Sequence, residues 1–173
     1  EQIVVPLMLT LADLQASATL FPLEYQEIQE QHRVLWGRDP FIGLHIDRTQ
    51  ERVHEQQGLA GNLLRLRQRF VEGGGTEEAT TLLLPLSLTA LLPCLRGLQR
   101  LAGHPPLYYS EALLADIEKT TGLSFPGFTD VLNLKRGLIS PGPVEVPRLF
   151  ERYVGNLELL IQHVGTKGSA SAS

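Results

Sequence analysis

The sequence predicts a mainly α-helical protein, a four- or five-helix bundle behind a small N-terminal α/β segment of two strands. Three observations carry this. From residue 48 onward, apolar residues recur at helical spacing or fill whole helix-length segments. Helix punctuation separates those segments: three glycines at 73–75, Gly122, and Ser140 to Pro143. Upstream, residues 3–9 form a continuous apolar run rich in β-branched residues, a strand pattern.

In order, residues 3–9 give a first strand, with Pro6 placing it at a sheet edge. Thr10 caps a short helix with Asp13 in its first turn. Residues 23–28 give a second strand, with Leu23, Tyr25 and Glu27 on one face. Asp47 caps a long helix over residues 48–71, whose apolar positions are Val53, Ala60, Leu63, Leu64, Phe70 and Val71. Thr76 caps a second helix to about residue 102, apolar nearly all round, in which Pro85 and Pro93 predict kinks or a break. Ser110 caps a third helix ending at Gly122, and Pro126 starts a short fourth. Pro147 opens the last, with a stripe of Phe150, Tyr153, Val154, Leu157, Leu160, Ile161 and Val164.

A net charge of −4 does not suggest a nucleic-acid or membrane surface. The single cysteine, Cys94, cannot form an internal disulfide, which fits a reducing cytoplasm; it reads as a small buried apolar residue. The most apolar run, residues 82–95, is short for a membrane span and reads as a buried helix. No signal peptide is visible, and residues 166–173 read as a flexible tail.

No histidine or cysteine pattern marks a metal site, and there is no phosphate-binding glycine loop or nucleophile elbow. Glu51 and Glu55 stand at i,i+4 with like charge, a pair tolerated if it faces a cation; relief by Arg48 and Arg52 is the plainer reading. Among Arg65, Arg67 and Arg69, residues 65 and 69 share a helix face and 67 points away, so a clamp using all three is disfavoured. The plainer reading of these arginines is a solvated helix back. Arg48 and His54 have the Arg-x5-His spacing of helical ribonucleases of the HEPN class, a spacing common by chance.

Residues 21–41, FPLEYQEIQEQHRVLWGRDPF, followed by a helix ending NLLRLRQRF, resemble the C-terminal half of bacterial nucleotidyltransferase-domain proteins. There a polymerase-β-like α/β core precedes a helical bundle similar to the substrate-binding domain of aminoglycoside nucleotidyltransferases. The resemblance covers residues 1–75 and extends beyond them only as an all-helical pattern. It implies a core remnant over residues 1–44 and a bundle domain over 45–165. It also implies Mg2+ and an NTP for a full-length relative, which would transfer a nucleoside monophosphate to a hydroxyl acceptor. The metal-holding Gly-Ser turn and Asp-x-Asp pair of that family are missing here. The chain is therefore expected to bind no cofactor of its own and not to catalyse transfer alone. Glu27 corresponds best to the family's third carboxylate. Glu55 or Glu51 would orient or deprotonate the acceptor, and Arg65 and Arg69 would contact substrate. The expected partners are a small-molecule acceptor and either a second copy of this chain or a separate catalytic core; no membrane or nucleic acid is expected. A non-enzymatic dimerisation module is the alternative, and a HEPN-like ribonuclease the third.

Overall fold

A computed structural model describes the backbone of residues 7–44 and 51–170, with side chains as far as Thr166. The chain divides into two compact units, Glu1–Glu51 and Arg52–Ser173. The described residues hold seven α-helices and no strand.

In the first unit Thr10 caps α1, Leu11–Leu20. The Thr10 hydroxyl oxygen accepts from the Asp13 N–H at 3.1 Å, and the Asp13 carboxylate accepts from the Thr10 N–H at 3.0 Å. This reciprocal box satisfies two N–H groups at the start of the helix. Next comes α2, Pro22–Gln31, which replaces the strand expected over residues 23–28. The reason is visible in its composition. Pro22 is preset for a helical first turn, and the following Leu, Glu and Gln residues are strong helix formers. Its buried set, Pro22, Leu23, Tyr25 and Gln26, follows a helical period rather than an alternating one. Of the other expected strand, residues 3–6 lie outside the described residues, and residues 7–9 form no regular element. Leu14, Ala18 and Tyr25 make a small core, with Phe41 and Leu44 packed against it.

The second unit is a five-helix bundle: α3, Glu51–Glu72; α4, Glu77–Leu101; α5, Ser110–Thr121; α6, Pro126–Lys135; and α7, Glu145–Ala170. Asp47 and Arg48, expected at the start of the first long helix, lie outside the described residues. The buried seam of α3 is Glu51, Glu55, Leu59, Asn62 and Leu66. Val53, Leu64 and Val71 of the expected stripe are exposed. The apolar spacing pointed to another face because the seam itself carries three polar residues. Thr76 caps α4 as expected, but α4 runs unbroken through Pro85 and Pro93. Its length and apolarity would suffice to cross a membrane, and half of its most apolar window is buried inside the protein, as for the core helix of a bundle. Ser110 is the first residue of α5, not its cap, and Gly122 ends that helix in the left-handed region.

The helix directions follow from side-chain pairs. Asn62 Nδ2 donates to the Ala90 carbonyl of α4 at 3.4 Å, and Phe70 stacks on Phe150 of α7 at 4.0 Å. Arg67 pairs with Glu158, and Gln56 lies beside Gly165, so α3 runs antiparallel to both α4 and α7. All seven positions of the predicted α7 stripe are core or packed against it. Gly127 lets α6 lie on α7: a Cβ there would sit 2.8 Å from the Tyr153 backbone nitrogen. The Gly127 N–H also donates to Asn156 Oδ1 at 2.7 Å. Beyond Val164, α7 continues to Ala170, through most of the expected tail.

Candidate functional site

The antiparallel pairing brings the start of α3 against the last turns of α4 and α5. Glu55 is fully buried there, and its carboxylate rests where a Gly97 side chain would be. Only glycine at 97 leaves that space. Arg96 and Arg100 flank Gly97 in sequence. Arg96 is 9% exposed and its guanidinium lies 5.2 Å over the Tyr108 ring. Glu and Arg are almost never this deeply buried without a structural or functional reason.

Beside this seat is a cleft of about 160 Å³. Leu98 and Leu101 of α4, Ile117 of α5 and Val164 of α7 form its apolar wall. Arg52, Thr120, Thr121 and His163 supply its polar groups. The Thr121 hydroxyl donates to the Ile117 carbonyl at 2.7 Å.

A polar chain runs behind Thr120. Gln99, fully buried, accepts from the Leu107 N–H at 2.9 Å and donates through Nε2 to Asp116 Oδ2 at 2.7 Å. The same Asp116 oxygen faces His104 Nδ1 at 3.2 Å, and Thr120 Oγ1 lies 3.5 Å from that nitrogen. The hydrogen bond from Gln99, joined by His104, holds the Asp116 carboxyl below the usual carboxylate range. A proton on Nδ1 answers Asp116 and leaves Nε2 as the open nitrogen of His104.

Of the residues singled out in the sequence, Glu51 and Glu55 share the buried face of α3. Arg48, one of the two arginines expected to relieve their like charge, lies outside the described residues. Glu27 lies half-buried on α2, a helix and not a strand, and accepts from Gln31 Nε2 at 3.5 Å. Arg65 and Arg69 border a shallow groove with Asn62, Leu83 and Ser87, while Arg67 turns the other way to Glu158. The cleft residues Arg52 and His163, and the Gln99–Asp116–His104 chain, were not found from sequence. Their one local signal is the polar run Arg96, Gln99 and Arg100 at the end of a mainly apolar α4. Among the described residues no three His, Cys, Asp or Glu side chains form a group that could hold a metal.

No family model matches the chain, and neither curated proteins nor solved structures give a match.

Proposed function

We propose that this chain is the C-terminal, helical substrate-binding part of a nucleotidyltransferase-type protein of a reducing cytoplasm. In this reading the bundle shapes the acceptor pocket, and metal and triphosphate are held by a core this chain does not contain. The observation that supports it most is the charged, cleft-bearing end of the bundle, where Glu55 is buried on Gly97 beside Arg52, Thr120 and His163. Buried ionisable groups beside a cleft are where binding chemistry concentrates. Glu55, sealed from solvent, acts here as a positioning residue for the pocket wall.

The test has two arms. Titration of this chain with Mg·ATP should show no binding below millimolar. Expressed together with the coding sequence that precedes Glu1, it should transfer labelled nucleoside monophosphate to a hydroxyl compound. A preceding sequence without a Gly-Ser turn and an Asp-x-Asp pair sinks the reading.

A second reading, a self-associating helical module, is favoured by one observation. Leu35, Trp36 and Ile42 of the first unit are 89%, 95% and 81% exposed. Large apolar side chains held in solvent mark interfaces, and the simplest partner is a second copy in a two-fold dimer. Sedimentation equilibrium at micromolar concentration tests this, and a mass near 19.1 kDa would overturn it.

A further inference from the structure

We propose that the α3–α4–α5–α7 cleft takes a small, single-ring, amphipathic monoanion: its ring on Leu98, Leu101, Ile117 and Val164, its carboxylate on Arg52 and Thr120. The inference rests on the reading of this cleft as the acceptor pocket, and it narrows the acceptor class.

Size comes first. The cleft measures about 160 Å³, close to the engineered cavity of about 150 Å³ that holds one benzene. That accommodates one six-membered ring with a short substituent. Shape and lining come next. The wall is aliphatic on α4, α5 and α7, which suits a ring face.

The sign of charge follows from which polar atoms remain open. Among the described residues no Asp or Glu lines the cleft. The oxygens of Glu55, on the helix turn next to Arg52, are buried away from solvent. Thr121 has spent its proton on the Ile117 carbonyl and accepts from the Leu123 N–H at 3.3 Å. The proton of His104 Nδ1 goes to Asp116, so Thr120 keeps a hydroxyl able to donate. A guanidinium and a donor hydroxyl therefore face the cleft without an opposing carboxylate among the described residues.

One effect opposes an anion. The cleft lies at the C-terminal ends of α4 and α5, which carry partial negative charge. The last carbonyls of α4 are largely taken, and at the end of α5 that of Glu118 is. Leu98, Gln99 and Arg100 accept from Ala102, His104 and Gly103, and Glu118 accepts from Gly122. Capped helix ends act weakly, whereas a carboxylate on an arginine is among the strongest hydrogen-bonded pairs. The arginine decides the sign.

The probes are benzoate, benzyl alcohol and benzylamine, which share a ring and differ in charge. Each is titrated into this chain alone, with no nucleotide, while methyl resonances of Leu98, Ile117 and Val164 are followed. Benzoate should shift them saturably at millimolar concentration. Benzyl alcohol should bind about tenfold more weakly, the loss of one charge-assisted bond, and benzylamine should leave them unmoved. Arg52→Gln should reduce benzoate to the level of benzyl alcohol and leave benzyl alcohol unchanged. Leu101→Phe, which fills the cleft, should abolish both. Equal binding of all three probes, preference for benzylamine, or no shift with any of them overturns the proposal. If Arg52→Gln fails to fold, the three-probe ranking on the unaltered chain decides alone. Benzoate binding without nucleotidyl transfer in the longer protein would refute the transfer reading and leave this one standing.

Discussion

Glu55 and Gly97 occupy one space: the carboxylate of α3 lies where a side chain on α4 would begin. Helix propensity alone would make Gly97→Ala stabilising by about 1 kcal/mol. Here the added methyl must displace a fully buried carboxylate from its seat, which reverses the sign. The expected loss is about 3 kcal/mol, combining overpacking with a displaced buried charge. Urea unfolding measures it. Glu55→Ala placed in the Gly97→Ala background should recover part of the loss, and the double-mutant cycle should show strong coupling. Simple additivity would mean that the two residues do not share this space.

Asp116 predicts an acid-side signature. Its carboxyl is held low by Gln99 first and by His104 as well. A depressed folded value gives stability that is present above the unfolded carboxylate range, near pH 4, and lost as pH falls through the folded value. Asp116→Asn should therefore be less stable at neutral pH, with the deficit closing below about pH 4. Urea unfolding across an acid pH series checks this. A deficit constant with pH would assign the loss to packing and not to the charge.

The two predictions fall on residues of very different legibility. Helix limits set by local chemistry could be read directly: the caps at Thr10 and Thr76, Gly122 after α5 and Pro126 opening α6. The α7 stripe could be read because it is almost wholly apolar. Residues 23–28 misled because Leu23 and Tyr25 alternate as a strand would, while Pro22 and the glutamates favoured a helix. The α3 face misled because Glu51, Glu55 and Asn62 occupy its seam, which no hydrophobicity pattern marks. The cleft draws on residues from 52 to 164. Its members become neighbours only after α3 has folded back along α4 and α7, so no local spacing announces them.

Tyr153 gives the alkaline counterpart. Its ring is fully buried against Phe128 at 5.3 Å, and its hydroxyl pairs with Ser87 Oγ at 3.2 Å. Burial pushes the phenol well above its usual range. For a raised value, stability is complete below the unfolded value, about pH 10, and declines as pH rises beyond it. Thermal melts followed by circular dichroism from neutral to alkaline pH should show that decline. Tyr153→Phe should flatten it, while costing about 1 kcal/mol at neutral pH for the lost hydrogen bond. An alkaline slope unchanged in the variant would place its origin in other groups.

Trp36, the one tryptophan, reports on association. Its loop is held in place by several bonds. His32 Nδ1 lies 2.9 Å from the Gln29 carbonyl, and His32 Nε2 lies 2.9 Å from Asp39 Oδ1. Asp39 Oδ1 also accepts from the Phe41 N–H at 2.9 Å, and the His32 and Phe41 rings lie 4.4 Å apart. With the loop ends fixed, Leu35 and Trp36 project into solvent as a preset apolar tip. At nanomolar concentration Trp36 should emit as a water-exposed indole and be fully open to acrylamide quenching. If the second-copy reading holds, emission should move to shorter wavelength as concentration rises, in step with dimer mass in the ultracentrifuge. Trp36→Ala should then weaken the dimer by about 2 kcal/mol, as a central aromatic does. The same substitution should change the unfolding free energy of the monomer by no more than about 0.5 kcal/mol. A short-wavelength emission that persists in the monomer would mean that the chain covers Trp36 itself.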